Sequence, residues 1–229
     1  MSKVLIAVTS HGSLGETGRE TGYYLPEVSH PFFALLQQGL TIDQIDIVSP
    51  KGGRAPMDPN SYKLDDPLNR QFVERPELFT KVENTLHPSE IVASDYRAIL
   101  FAGGHGTMWD FPEAADLLAI ARAIYEQQNG VVAAVCHGPA ALVNLRLSNG
   151  EYLVQGRRVA AFTNEEEAAV GLANVVPFLL ESLLIERGAQ HQKAPLWQQN
   201  VVVDERLITG QNPASAAGVG QALAQFLTQ

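Results

Sequence analysis

An α/β fold, built on a mostly parallel sheet covered by helices on both faces, is what this 229-residue chain predicts. Three observations carry the prediction. Short apolar, β-branched runs alternate with longer helical stretches along most of the chain. One of those runs, VVAAV (131–135), stops at a Gly-Pro-Ala helix start, where a parallel strand would hand over to a helix. At 45% hydrophobic and 18% charged, the chain is also large enough to bury a core of its own. In order, KVLIAVT (3–9) reads as a strand, PFFALLQQGL (31–40) as a helix and IDIVS (45–49) as a strand. The stretch 50–95 breaks the alternation: it is rich in Pro, Asp and Asn, holds one amphipathic piece at PELFTKVENTL, and reads as a small inserted cap. RAILFA (97–102) is the next strand, FPEAADLLAIARAIYEQQ (111–128) a helix, and VVAAV the strand before the only cysteine. Beyond it, RRVAAFT (157–163) reads as a strand and ANVVPFLLESLLIERG (173–188) as a helix ended by Gly188. NVVVDERLIT (200–209) is strand material around an Asp-Glu turn, and NPASAAGVGQALAQFL (212–227) an Ala-rich helix opened by Asn-Pro. One domain over 1–229, with 50–95 as its cap, is the organisation expected.

Composition narrows the function. The net charge of -9, from 25 acids against 16 bases, comes without a Lys/Arg run, which argues against nucleic acid or a membrane surface as partner. The first apolar run is too short for a signal segment, and no stretch approaches the length of a transmembrane helix. With one Cys there is no intrachain disulfide to form. A cytoplasmic protein acting on a small molecule is the expectation.

Cys136 would sit at the carboxyl end of a strand, where ligand sites of open parallel sheets lie, and at the positive end of a helix dipole. A depressed thiol pKa is therefore expected, with His137 as neighbouring base and Gly138 relieving crowding after a sharp turn. A buried, inert cysteine is the bland alternative. The turn after RAILFA, Gly103-Gly104-His105-Gly106-Thr107, can present backbone N–H groups to a developing oxyanion, and His105 stands beside it. If only that N–H matters, Gly104→Val should slow turnover with little loss of folding. Glu27 falls before or inside the first turn of the first helix, at the same sheet edge as Cys136, where a carboxyl facing a thiolate would be pushed toward its protonated form. Any one of Glu165, Glu166 and Glu167 can orient His137 as the third member of a triad. Tyr24, Trp109 and Phe111 are candidates to line a pocket. No His/Cys spacing suggests a metal.

Taken together, TGYYLPEVSHPF, AGGHGTMWDFPEA, VVAAVCHGPAAL, AFTNEEEAAVG and ITGQNPASA resemble the PfpI/ThiJ superfamily, and within it the heat-shock-chaperone-like branch of glutathione-independent glyoxalases. The resemblance runs from Lys3 to about Ala224. It implies a flavodoxin-like three-layer sandwich with a mostly parallel central sheet. By motif, Cys136 matches the nucleophile, His137 its imidazole neighbour and Glu27 the acid near the sulfur. Gly104 and the His137 backbone match the oxyanion donors, and Glu167 the third triad member, with Glu166 one position away. The same fold family includes class I glutamine amidotransferases, whose cysteine uses a late His-x-Glu pair; here His191 is followed by Gln192 and Lys193.

The activity implied is glyoxalase III, of the D-lactate dehydratase type: methylglyoxal to lactate through a Cys136 hemithioacetal, with no cofactor. The resemblance also implies a small dicarbonyl substrate and a homodimer. Three rivals stand beside it. A protein deglycase or cysteine hydrolase would use the same residues, a stress holdase chaperone would not need Cys136, and a flavodoxin-like electron carrier would leave Cys136 unexplained.

Overall fold

The apolar runs pair side by side because their residues are buried on both faces and their backbone groups have no water to bond. The strands are β1 (Lys3–Ala7), β2 (Ile45–Val48), β3 (Tyr96–Phe101), β4 (Val131–Val135), β5 (Arg158–Val159), β6 (Gln190–His191), β7 (Val201–Asp204) and β8 (Leu207–Gly210). Six of them form one sheet in the order β2-β1-β3-β4-β8-β7, parallel throughout except for the β7–β8 hairpin at one edge. The helices are α1 (Pro26–Gln37), α2 (Pro67–Glu74), α3 (Pro76–Glu83), α4 (Thr107–Asp110), α5 (Ala115–Gln127), α6 (Asn164–Ala169), α7 (Leu180–Glu186) and α8 (Ala216–Leu227). This computed structural model describes residues 3–228; positions 1, 2 and 229, which the one-domain reading also spans, lie outside them.

Strand periodicity sorts the core into two layers. Val4, Ile6, Ala98, Leu100, Val131 and Ala133 pack with Val28, Phe32 and Leu35 of α1 and Val219 and Leu223 of α8. Leu5, Ala7, Ile99, Phe101, Val132 and Ala134 face the other way, onto Leu117, Ala121 and Ile124 of α5. The result is the expected three-layer α/β sandwich with a mostly parallel central sheet. Residues 50–95 form the connection from β2 to β3 and carry α2 and α3. Phe72, Leu78 and Val82 drive them into the α1-side core, where Phe72 meets Phe32 edge-on at 5.5 Å. Full burial of such side chains contributes about 1.5–3 kcal/mol each.

Four local expectations are corrected. The first helix starts at Pro26 rather than Pro31, because a proline at the first helical position lacks only an N–H that would be unpaired anyway. The 173–188 stretch is helical only over Leu180–Glu186; before it, the Val175 and Val176 N–H groups donate to the Leu172 carbonyl in a single turn, which Pro177, having no N–H, does not continue. RRVAAFT contributes two strand residues, Arg158 and Val159, to a small separate sheet with β6. After Cys136 comes a 3-10 helix, Gly138–Val143, rather than an α-helix.

No helix among the described residues is long and apolar enough to cross a membrane.

Candidate active site

The end of β4 is a sharp corner. Cys136 adopts φ 61°, the left-handed region that costs an L side chain roughly 1–2 kcal/mol. Hydrogen bonds on both sides hold it there. Its N–H donates to the Gly210 carbonyl at 2.9 Å, and its own carbonyl accepts from the Phe162 N–H at 2.9 Å. The His137 carbonyl accepts from Thr107 Oγ1 at 3.0 Å. A side chain at Gly138 would collide with the Phe101 carbonyl, so only glycine lets the chain turn this tightly. The thiol is thereby presented at the carboxyl edge of the sheet, 3% exposed.

One wall of the site is the start of α1. Glu27 is fully buried there, and the Gly103 N–H donates to its Oε2 at 2.7 Å. Oε1 has no partner of good geometry among the described residues; what faces the carboxyl is the Cys136 thiol. Burial raises the Glu27 pKa to about 8, against the opposing pull of the Cys136 and Gly103 hydrogen bonds. Burial also pushes the thiol well above its usual value, and the facing Glu27 carboxyl pushes it further. The expected depressed thiol pKa is thus reversed. The helix after Cys136 is a short 3-10 turn, and burial together with His105 holds the His137 imidazole down at about 4, so no cation beside the sulfur offsets its desolvation.

The opposite wall is α6. Glu167 Oε2 pairs with His137 Nε2 at 2.8 Å and Oε1 with His105 Nε2 at 2.9 Å, so one carboxylate holds two imidazoles whose rings lie 4.0 Å apart. Burial works to raise the Glu167 pKa, but the two histidines outweigh it and hold the group at about 2. An ionised carboxylate accepts only, so His137 Nε2 carries the proton and Nδ1 turns a lone pair toward Cys136 Sγ, 3.4 Å away. At neutral pH both shifts agree on a neutral imidazole beside a charged carboxylate.

Glu166 does something else. Its Oε2 accepts from the Thr163 N–H (3.0 Å) and hydroxyl (3.1 Å), closing a capping box on α6, while Oε1 accepts from the Trp197 N–H, Gln211 Nε2 and Asn212 Nδ2. Thr-x-x-Glu is a helix-start signature legible in the sequence, and it separates Glu166 from Glu167.

The turn from Gly103 to Thr107 closes the site from above. Gly104 sits at φ 104°, and its N–H has no protein acceptor among the described residues. A side chain there would run into the Gly22 carbonyl and the Tyr24 N–H, which overturns the expectation that Gly104→Val would fold normally. Tyr24 and His105, the latter 4.0 Å ring to ring from His137, line a cleft of about 270 Å³, and burial, Glu27 and Cys136 together raise the Tyr24 pKa. Phe111 is a core residue packed on Phe101 rather than a pocket wall, and Trp109 stacks on His11. Sequence reasoning missed Phe162, whose ring covers His137 at 4.3 Å and meets Trp197 at 5.8 Å. It also missed Thr107, whose hydroxyl ties Gly104 to His137. Thr107 lay inside the quoted glycine turn; nothing local marked Phe162.

His105, His137 and Glu167 place their ligand-type atoms within 4.8 Å of one another, the arrangement of two histidines and a carboxylate that suits a transition metal. Sequence spacing did not disclose this, because the three lie on separate segments: the 103–107 turn, the corner after β4 and helix α6. Both Nε2 atoms are already engaged by Glu167.

The DJ-1/PfpI family model matches residues 27–225. The chain is 35% identical over 227 residues to the "glutathione-independent glyoxalase HSP31" of Saccharomyces cerevisiae, covering 93% of each, and 32% identical over 228 residues to the "glyoxalase 3" of Candida albicans, covering 94% of each. Among solved structures, Rapid Encystment Protein 24 kDa of Francisella tularensis superposes with a TM-score of 0.94 at 41% identity, each chain 99% covered. The crystal structure of Candida albicans glyoxalase III gives 0.89 at 29% identity, covering 98% of this chain and 96% of its own.

Proposed function

The chain belongs to the DJ-1/PfpI family, and from that membership we propose that it is a glutathione-independent glyoxalase converting methylglyoxal to lactate. The observation that carries this reading is the pairing of the Cys136 thiol with a fully buried Glu27 carboxyl whose pKa is about 8. A group of that pKa gains and loses a proton near neutrality, as an acid–base shuttle must.

The thiol adds to the aldehyde carbon, and its proton ends on the former aldehyde oxygen, giving a hemithioacetal. The N–H groups of Gly104 and His137 stabilise the negative charge that builds on that oxygen during addition. Glu27 as carboxylate removes the proton from C1, the electrons move toward the C2 oxygen, and an enediolate forms. Its C2 oxygen takes the C1 hydroxyl proton; Glu27 then delivers the proton it removed to C2, leaving a 2-hydroxyacyl thioester on Cys136 and Glu27 again a carboxylate. Water, deprotonated by His137 Nδ1, then cleaves the thioester and restores the thiol. Glu167 fixes the tautomer that makes Nδ1 a base. C1 is oxidised as C2 is reduced, so the reaction draws on no outside oxidant or reductant.

The same reading makes the protein a cytoplasmic homodimer, supported by its single cysteine and its family. The test is lactate formation from methylglyoxal by chelator-treated protein without glutathione. Wild type should turn over and Cys136→Ala should not; equal rates from the two proteins would end the proposal.

A further inference from the structure

The cleft lined by Tyr24 and His105, the residues that flank Cys136 and His137, is larger than methylglyoxal needs. About 10–15 Å³ of such space admits one water, so about 270 Å³ takes a ligand several times the size of a five-heavy-atom dicarbonyl. Its walls are mixed. Leu14 and Leu172 are apolar, Tyr24 and His105 lie at the chemistry, and Asp58 and Arg19 bring charge. Asp58 is 6% exposed and engaged: Oδ1 accepts from the Asn60 N–H (2.9 Å) and Nδ2 (3.0 Å), and Oδ2 from Thr21 Oγ1 (3.1 Å). Arg19 is the opposite case. It is exposed, and no carboxylate among the described residues lies within 4.0 Å of its guanidinium.

The position of Arg19 is set by its own loop. Ser13 and Glu20 pair as an antiparallel bridge, and the Leu14 N–H donates to the Arg19 carbonyl at 2.9 Å. Thr17 Oγ1 donates to the Leu14 carbonyl at 2.6 Å and accepts from the Arg19 N–H at 3.2 Å. This closed turn fixes the Arg19 backbone at the cleft and leaves its guanidinium without a carboxylate partner among the described residues. In a chain of net charge -9, an anionic ligand is repelled at large and retained only where a local cation meets it. A guanidinium is the side chain best shaped for a carboxylate, which it binds through two parallel N–H donors.

Resting on the glyoxalase reading, we propose that the preferred substrates are α-oxoaldehydes carrying a carboxylate on a short aliphatic chain, with Arg19 binding the carboxylate while Cys136 attacks the aldehyde. For 4,5-dioxopentanoate the atoms balance as they do for methylglyoxal. One water is added, the aldehyde carbon becomes a carboxylate, the ketone carbon becomes a hydroxyl, and the product is 2-hydroxypentanedioate.

The experiment compares 4,5-dioxopentanoate with 2-oxopentanal, its neutral counterpart of equal chain length, in wild type, Arg19→Gln and Arg19→Lys. The wild-type ratio of kcat/KM, acid over neutral, should be about fivefold, the upper end of what an exposed ion pair yields, and should sit in KM. It should fall toward one in Arg19→Gln, persist in part in Arg19→Lys, and shrink as salt is raised. A ratio near one in wild type, or one that survives Arg19→Gln, overturns the proposal. Protection of Cys136 from iodoacetamide by the same two compounds reads binding alone. If neither is turned over yet the acid protects better and Arg19→Gln abolishes the difference, the anion site stands and the glyoxalase reading falls.

Discussion

Glu27 and Glu167 are both buried carboxyls within reach of the same cysteine turn, yet one is raised to about 8 and the other lowered to about 2. Burial acts in the same direction on both, so the difference lies in their partners. Glu167 has an imidazole on each oxygen; Glu27 has one backbone N–H on Oε2 and an unpaired Oε1 facing a thiol. Two such partners fix a charge in place, whereas one N–H leaves a carboxyl that can still exchange a proton. The α1 wall is therefore the mobile-proton side of the site and the α6 wall its fixed-charge side.

The sharpest way to break that contrast is Glu27→Gln, which keeps size and hydrogen bonding but cannot move a proton. Lactate formation should fall by at least ~10²-fold, the low end of a positioned acid–base contribution, while methylglyoxal still forms a trappable adduct at Cys136. Mass spectrometry of the adduct and a lactate assay decide it, and a wild-type rate puts the shuttle elsewhere. Glu167→Gln should do less, about tenfold, short of the ~10²–10⁴ of a direct proton donor, because the base itself survives with its tautomer loosened. Rapid quench should then show acyl thioester accumulating, and a loss confined to adduct formation would argue against this role.

The two walls should also respond to pH with opposite sign, on either side of pH 4.5. A carboxyl raised in the folded state stabilises the fold below its unfolded pKa, and that stability is lost as pH rises through its folded pKa. For Glu27 the window runs from 4.5 to about 8. A carboxyl lowered in the folded state stabilises above its unfolded pKa, so the Glu167 contribution is lost as pH falls from 4.5 to about 2. Urea melts should accordingly show Glu27→Gln removing a decline between pH 4.5 and about 8, and Glu167→Gln removing part of the decline below pH 4.5. Identical pH slopes in wild type and Glu27→Gln would mean that the carboxyl is not protonated at rest. A smaller effect is expected in alkylation. The wild-type iodoacetamide midpoint should lie above the ~8.5 of a free thiol and move down toward it in Glu27→Gln, where the facing charge is gone.

Much of the fold and of the candidate site is legible in the sequence. The apolar run ending in Cys-His-Gly-Pro placed Cys136 at the carboxyl edge of the sheet, because a strand-to-helix corner needs small residues at fixed positions. Gly138 and Gly103 are both pressed against backbone that a side chain would strike. Glu27 was legible from its place at the first helix. The sign of the thiol shift was not, because desolvation belongs to the assembled site and leaves no local trace. Nor was the double hold on Glu167, since His105, His137 and Glu167 meet only through the sheet. RRVAAFT looked like a full strand because a buried coil rich in Val and Ala has the same composition as one; its backbone bonds go instead to the Thr209 side chain and to Cys136.

That the Cys136 N–H is received by Gly210 bears on how the protein comes to be. Glu27 and Gly103 are 76 positions apart, His137 and Glu167 another 30, and the Cys136 corner closes only when β8 has docked beside β4. Contacts of such separation form late, because the chain must first bear the entropy of closing the loops between them. A partly folded chain thus carries an ordinary cysteine, and the buried, carboxyl-facing thiol arises only with the last strands. Protection of Cys136 from a thiol reagent during refolding should then appear in the slowest phase, which makes this side chain its own clock for completion of the fold.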